Sequence, residues 1–390
     1  MSDTDAKDKQ ETKPASGSRN SYGISEWAGA FGDLGTLIPF IIGYISILKL
    51  DPLGVLLMFG IFLIASGLYY KTPIPVQPMK AIGAAAITRT AMITPGAIWG
   101  AGLFTGLFWL VMGLSGTLKH VSKITGKPVI RGIVLGLGLL FIMDGIKLMR
   151  TDILIAVAAL VLTFVLLSNK RIPAMFALLI FGVAIALFKD SAIWREITAI
   201  RPSFHLPQFS LGALTWRELA AGVLVLAIPQ IPLTLGNAVI AVTAENNRLF
   251  PNKPVSEKKI AISQGLMNII SPIWGGIPVC HGAGGLAGHV RFGARTGGSP
   301  VILGGVFLIL GLFFSDSVLL LFNMIPSYVL GVILFFAGLE LALSARDAGR
   351  EKSDFCILLV TAGFAIWNAG IGFLAGLVMQ ELFKRKIVKF

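Results

Sequence analysis

A lysine and a glutamine interrupt the apolar stretch TPIPVQPMKAIGAAAITRT at residues 72–90. Gln77 lies three residues before Lys80, so both side chains share one face if a helix begins here. A buried ammonium group is costly unless an opposite charge accompanies it. The two residues therefore predict an anion site, in which Lys80 supplies charge and Gln77 supplies amide donors. The alternative is structural: Lys80 reaches an interface or pairs permanently with Asp33.

Other polar residues of the chain suit the same chemistry. Asp33 and Thr36 lie in FGDLGTLIPF, where Asp33 is a candidate either for pairing with Lys80 or for carrying a coupling proton. The stretch IPQIPLTLGNAV offers neutral donors that bind an oxyanion without adding negative charge: Gln230, Thr234 and Asn237.

The segment IPVCHGAGGLAGH at 277–289 repeats the pattern of IPVQPMKAIGAAA at 74–86. In each, a proline makes the residue before it extended, and we expect the Ala-rich run that follows to be helical. Two such helix starts facing each other would present N–H groups and positive dipole ends to an anion. We expect Gly282 to allow close backbone approach, and His281 to be either a ligand or a structural residue.

The elements that position these residues are membrane helices. Of the 390 residues 55% are hydrophobic and only 14% are charged, against about a quarter charged in soluble domains. Long apolar runs recur throughout, which predicts an all-α polytopic membrane protein. The net charge of +13 is carried by joints between apolar runs and not by a basic stripe, so no nucleic-acid partner is expected. The sequence has no HExxH motif and no nucleophile elbow, and we expect no enzyme activity, metal or cofactor.

Fourteen segments fit the apolar pattern, and two of them are too short to cross a membrane alone. With the N-terminus inside, only eight of the 33 Lys and Arg residues fall outside, which favours cytoplasmic termini. The predicted segments are 26–48, 53–70, 76–91, 95–117, 129–148, 152–168, 172–189, 213–244, 258–274, 279–291, 299–314, 317–344, 354–369 and 371–386.

An internal repeat divides these segments into two sets of seven. AGAFGDLGTLIPFIIGYIS at 28–46 aligns with AGVLVLAIPQIPLTLGNAV at 221–239 at an offset of 193, and the two short segments align at an offset of 203. The halves have opposite topology, as in transporters built from inverted repeats. We expect repeats at 25–189 and 212–390, a joint at 190–211, a disordered cytosolic tail at 1–24, and two broken half-helices at the membrane midplane.

These motifs, with GLMNIISPIWGGIPVCHGAGGLAGHVRFGAR, closely resemble the molybdate transporter family, a branch of the sulfate permease superfamily. The resemblance implies uptake of a tetrahedral dianion. It also implies a core domain from 25–117 and 212–314 that moves against a gate domain from 127–189 and 315–388. Sulfate permeases commonly carry a STAS domain after the last span, which we do not expect here.

The expected function is secondary active transport of molybdate by alternating access across the cell membrane. Two alternatives stay open: a carrier of sulfate or another oxyanion, and a passive anion channel of the same fold. The expected partners are molybdate, with tungstate and sulfate as similar anions, the lipid bilayer and a second copy of the chain as a homodimer.

Overall fold

The computed structural model describes residues 19–88, 93–167, 169, 174–349 and 351–388. Within these residues we label fourteen helices in chain order: Ile24–Ile47 (α1), Pro52–Tyr70 (α2), Lys80–Thr88 (α3), Pro95–Ser115 (α4), Lys127–Met149 (α5), Ile153–Leu166 (α6), Ala174–Lys189 (α7), Trp216–Leu249 (α8), Glu257–Ile270 (α9), Ala283–Arg291 (α10), Gly298–Phe314 (α11), Ser327–Ser344 (α12), Lys352–Trp367 (α13) and Ala369–Lys384 (α14). Two short strands, Gln77–Pro78 (β1) and Val279–Cys280 (β2), precede α3 and α10. Further short helices are Thr117–Ile124, Ser191–Ala199 and Val318–Asn323.

Local sequence signals set several helix starts. Asp51 precedes α2 and its carboxylate accepts a hydrogen bond from the Leu53 N–H, 3.0 Å away. Thr94 caps α4 in the same way. Both helices open on a proline, whose fixed φ suits the first turn and whose missing N–H leaves no donor unsatisfied there.

Each of the fourteen predicted segments overlaps one of these helices, which confirms the all-α fold class. Among the described residues, six helices are long and apolar enough to cross a membrane alone, or seven if the bent pair Ala174–Lys189 and Ile193–Ala199 is one span. The prediction of one unbroken segment over 317–344 was wrong. Helix stops at Asn323 and restarts at Ser327, because Pro326 is extended (φ −64°, ψ 153°) and disfavours helical geometry in the residue before it.

The structure describes only the last residues of the predicted tail. Residues 1–18 of the expected disordered tail lie outside the described residues. Its last part is held in place: the Asn20 amide donates to the Gly67 carbonyl (2.9 Å), and the Ser21 N–H donates to the Thr296 hydroxyl (3.1 Å). These groups have their partners at the end of α2 and just before α11.

Helix packing follows the sequence repeat. α2 packs along α11, and α4 packs along α9. The symmetry that relates the two repeats converts one of these pairs into the other. Glycines bring the backbones together in both pairs. A Cβ added at Gly304 would lie 2.6 Å from the Gly60 carbonyl oxygen, and one added at Gly265 would lie 2.9 Å from the Gly106 carbonyl oxygen.

A second group of helices forms around α5, which packs against α12 and α13, while α13 packs against α14. Gly138 approaches the Gly338 carbonyl, and Gly145 approaches the Gly331 carbonyl. Gly138 and Gly145 are 193 residues before Gly331 and Gly338, the same offset that aligns α1 with α8. The crossing of α5 and α12 is therefore symmetric about the axis that relates the two repeats.

The two strands lie at the centre of this arrangement. β1 and β2 are antiparallel, with Gln77 opposite Cys280 and Pro78 opposite Val279. Gln77 and Cys280 are 203 residues apart, so each is the repeat equivalent of the other. The pseudo-two-fold axis thus passes through this pairing, and α3 and α10 leave it in opposite directions. These observations are consistent with the predicted inverted repeat.

The close contact of α2 and α11 predicts that bulk at Gly304 destabilises the protein. We expect Gly304→Val to lower the free energy of unfolding by about 1–3 kcal/mol, because the added side chain overlaps the α2 backbone. Thermal unfolding of the purified protein in detergent measures this change.

The matched control is Gly305→Val, because a Cβ at Gly305 meets no atom within 4 Å. Equal losses of thermal stability in the two variants would show that helix propensity, and not the α2–α11 contact, determines the effect.

Candidate anion-binding site

The site begins where the two strands turn into half-helices. The Met79 N–H donates to the Pro278 carbonyl (2.9 Å), after which α3 starts at Lys80. α10 starts at Ala283, and the residue before it, Gly282, is extended (φ −98°, ψ 132°). The positive ends of the two helix dipoles therefore meet at the strand pair.

Polar side chains of α8 cap both half-helices. The Gln230 side-chain oxygen accepts from the N–H groups of Ala81 (2.8 Å) and Ile82 (3.3 Å). The Asn237 side-chain oxygen accepts from the Ala283 N–H (3.2 Å). The sequence predicted unoccupied N–H groups at both ends, and this is corrected: three of them are satisfied by side chains of α8. An anion at these groups would displace the amide oxygens.

Thr234 completes this side of the site. The Gln230 amide nitrogen donates to the Thr234 hydroxyl, 2.8 Å away, and both side chains are buried. The pairing orients the Gln230 oxygen toward α3. The neutral residues predicted on α8 therefore lie at the half-helix starts, where Gln230 and Asn237 bind backbone N–H groups directly and Thr234 orients Gln230.

On the other side, α1 contributes Asp33 and Thr36. The Thr36 hydroxyl bonds to the Asp33 carboxylate, and the Gln77 amide donates to that carboxylate (2.5 Å) and to the Thr36 hydroxyl. Asp33 ends a short 3₁₀ turn inside α1, and an irregular turn within a long helix is frequent at functional sites. We call Asp33, Thr36, Gln77 and Lys80 the polar cluster.

Glycines of α10 lie directly against this cluster. A Cβ at Gly285 would be 2.5 Å from the second carboxylate oxygen of Asp33, and a Cβ at Gly282 would overlap the Gln77 side-chain oxygen. Both of those oxygen atoms are buried and have no hydrogen-bond partner among the described residues. Gly282 thus makes room for the polar cluster, and two buried acceptors face the start of α10.

Lys80 is the cation of the cluster. Its Nζ is buried and, among the residues that the structure describes, has no hydrogen-bond partner and forms no ion pair with Asp33. The permanent Lys80–Asp33 pair that the sequence left open is therefore not formed. Instead, Nζ lies 3.9 Å from the centroid of the Phe141 ring, on α5. A buried ammonium without an anionic partner is an unusual arrangement in a protein interior.

The structure does not bring His281 to the cluster. One ring nitrogen lies 2.8 Å from the Pro75 carbonyl oxygen and the other lies 2.7 Å from the Ser263 hydroxyl, on α9. The ring also packs edge-on against Tyr70. Both nitrogens are engaged away from Lys80, and these contacts connect the end of β2 to α2 and α9.

Sequence reasoning missed two residues beside the half-helices. Phe141 covers Lys80, and Tyr44 on α1 has a buried hydroxyl that lacks a hydrogen-bond partner among the described residues. That hydroxyl would lie 3.3 Å from a Cβ at Gly83, one turn beyond Lys80. Both are aromatic residues in apolar runs, and no motif distinguishes them from packing residues.

Several charges outside the cluster form ion pairs. Asp144 and Lys147, three residues apart on α5, lie 2.8 Å apart. The sequence did not reveal a buried network in which Arg131 on α5 and Arg248 bind the two carboxylate oxygens of Glu245 on α8, at 2.6 and 2.8 Å. Arg291 at the end of α10 lies 3.5 Å from Glu340 on α12.

The polar cluster and both half-helices lie within the part of the chain that matches a known family. The chain matches the family model described as "Molybdate transporter of MFS superfamily" over residues 25–141 and 222–341. It is 35% identical to Molybdate transporter 2 of Arabidopsis thaliana, with 92% of this chain and 87% of that protein covered. It is 28% identical to Molybdate transporter 1 of Chlamydomonas reinhardtii, with 91% and 90% covered.

Solved structures with a similar fold are also membrane transporters. The transmembrane domain of a cyanobacterial bicarbonate transporter, BicA, aligns with a TM-score of 0.57 at 17% identity, covering 91% of this chain and 97% of that domain. SLC26A9 aligns with a TM-score of 0.58 at 13% identity, covering 95% of this chain and 66% of that one. At these identities the similarity concerns the fold alone.

The hydrogen bonds of Thr36 predict that its hydroxyl stabilises the protein even without an anion. Thr36→Val keeps the shape but removes the donor to Asp33 and the acceptor for Gln77. We expect a loss of about 1–3 kcal/mol in the free energy of unfolding, because buried polar groups lose a partner. Thermal unfolding in anion-free buffer measures this loss.

Thr36→Ser is the control, since it keeps the hydroxyl and removes only a methyl group. If the serine variant loses as much stability as the valine variant, packing of the methyl group explains the effect and the hydrogen bonds do not.

Proposed function

Because this chain belongs to the molybdate transporter family, we propose that it is a secondary transporter that carries molybdate through the membrane in which it is embedded. The anion would bind between the starts of α3 and α10. One observation carries this proposal: the buried Lys80 ammonium, without hydrogen-bond partner among the described residues, stands beside two helix N-termini. Buried charge of this kind in a membrane protein marks a substrate pathway, and helix N-termini bind oxyanions.

The chemistry of the site suits a tetrahedral dianion. Lys80 supplies a full positive charge, and the two helix ends add about half a charge each. The N–H groups of Ala81, Ile82 and Ala283 now bond to Gln230 and Asn237, so they become donors to the anion when those amides turn away. Thr36 and Gln77 supply a hydroxyl and an amide within the same cluster.

Asp33 is suited to coupling and not to direct binding. An ionised carboxylate in the cluster would repel the incoming anion. A protonated Asp33 would remove that repulsion and could donate a hydrogen bond, so we propose that the anion is carried together with a proton held at Asp33. The absence of an ion pair with Lys80 among the described residues favours this role over a permanent charge pair.

Transport by alternating access would move two groups of helices against each other. The packing supports a core of α1–α4 with α8–α11 and a gate of α5–α7 with α12–α14. Two ion pairs join these groups, Arg131–Glu245 and Arg291–Glu340. The excess of basic joints supports cytoplasmic termini, which puts both ion pairs near the cytoplasmic end. We further propose that the protein resides in the cell membrane and assembles as a homodimer.

The site predicts that uptake of molybdate depends on Lys80. In proteoliposomes, we expect the wild-type protein to accumulate labelled molybdate, and Lys80→Met to weaken binding roughly thirtyfold or more, which corresponds to about 2 kcal/mol for a lost buried charge partner. Radiolabel uptake and isothermal titration calorimetry measure the two effects.

The control is Lys147→Gln, which removes an exposed lysine of α5 that pairs with Asp144. It should leave uptake unchanged. Normal molybdate binding by Lys80→Met would refute the role of Lys80. If excess sulfate abolishes molybdate uptake, the protein is a general oxyanion carrier. If uptake ignores an imposed pH gradient, Asp33 does not couple protons.

The pair Arg291–Glu340 predicts coupling between core and gate. We expect Arg291→Glu and Glu340→Arg each to change the initial uptake rate by up to about fivefold, since partly exposed ion pairs contribute up to about 1 kcal/mol. The double variant, with the charges exchanged, should return toward the wild-type rate. Initial rates in proteoliposomes measure this.

If the double variant is as impaired as the sum of both single variants, the two side chains do not act through each other, and this ion pair has no part in the movement.

A further inference from the structure

Phe141 lies where the two half-helices and the gate group meet. It belongs to α5 and is 3% exposed. The Lys80 Nζ lies 3.9 Å from the centre of its ring. The same ring covers the start of α10, since a Cβ added at Gly284 would overlap it. One aromatic side chain therefore contacts both half-helix starts.

The ring occupies a face of Lys80 that an oxyanion would need. A cation over an aromatic face gains about 0.5–2 kcal/mol, which stabilises the buried ammonium while no anion is bound. The ring carries no net charge, however, so a dianion interacts with the same ammonium far more strongly. The ring and an anion cannot both contact that face of the amine.

The first repeat forms this contact between a cation and a ring, and the second repeat lacks both residues for it. The residue equivalent to Phe141 at the offset of 193 is Leu334 on α12, and the residue equivalent to Lys80 at the offset of 203 is Ala283. Neither can form a cation–π contact. The cation and the ring that covers it are thus both departures from the two-fold symmetry of the scaffold, and they contact each other.

We infer that Phe141 determines the affinity of the anion site by competing with the anion for Lys80. Its ring covers a face of the ammonium that an anion would contact, so binding requires that the ring withdraw. Since Phe141 belongs to the helices around α5, movement of that group relative to α3 and α10 exposes the ammonium. This inference rests on the proposed function, because it concerns the same anion and the same lysine.

The test measures molybdate binding to the purified full-length protein by isothermal titration calorimetry. We expect Phe141→Ala to bind molybdate about two- to thirtyfold more tightly than the wild type, the factor that corresponds to the lost cation–π contact. Phe141→Leu, which keeps an apolar side chain but lacks the ring face, should also bind more tightly. Phe141→Leu also provides the test if Phe141→Ala does not fold.

The control is Ile133→Ala, at a fully buried position two turns earlier on α5. It removes apolar volume from the same helix and should leave the affinity within twofold of the wild type. If Phe141 only packed the starts of the two half-helices, its truncation would weaken molybdate binding, so the direction of the change distinguishes competition from packing.

A second readout follows the amine itself. Acylation of Lys80 by an amine-reactive reagent, measured by peptide mass spectrometry, should be faster in Phe141→Leu than in the wild type, and molybdate should slow it. Unchanged or weaker molybdate binding by folded Phe141 variants, with unchanged Lys80 acylation, would overturn the inference. If the wild-type protein binds no molybdate, the proposed function fails instead, and the two failures are distinguishable.

Discussion

The structure depends on one constraint: backbone that leaves helical geometry inside an apolar core must find hydrogen-bond partners within the protein. The backbone groups of β1 and β2 bond to each other, and the first N–H groups of the half-helices that follow bond to side chains of α8. Because these partners are polar side chains and N–H groups, the place where the two helices break is also the place where we propose that an anion binds. The cost of interrupting the helices and the chemistry of the site have the same origin.

Close backbone approach packs the long helices on each other. Glycines let α2 contact α11 and let α4 contact α9. Glycines of α10 have a different purpose, since they leave space for the Asp33 carboxylate and the Gln77 amide. In an apolar solvent, helix association relies on such contacts because no hydrophobic effect drives it. Packing and site geometry are therefore set by the same type of residue at different positions.

Charge breaks the symmetry that the backbone keeps. The strands, the half-helices and the crossing of α5 with α12 all follow the two-fold relation of the repeats. Lys80 has alanine as its equivalent, and Gln77 has cysteine. A symmetric scaffold thus supplies a helix dipole from each repeat. The full positive charge of Lys80 and the aromatic ring that covers it both come from the first repeat. The two repeats therefore share one backbone fold, although their side chains at the site differ.

The sequence alone determined the helical class, the approximate positions of the helices, the repeat offsets and the residues of the polar cluster. These follow from local rules: apolar run length, proline geometry and the cost of burying a charge. It could not determine which partners those residues have. That Gln230 caps α3, that His281 bonds to Pro75 and Ser263 instead of facing the site, and that Phe141 covers Lys80 depend on helices distant in the chain. Such contacts are decided by how helices pack, because an apolar residue facing a cation and one facing lipid look alike in sequence.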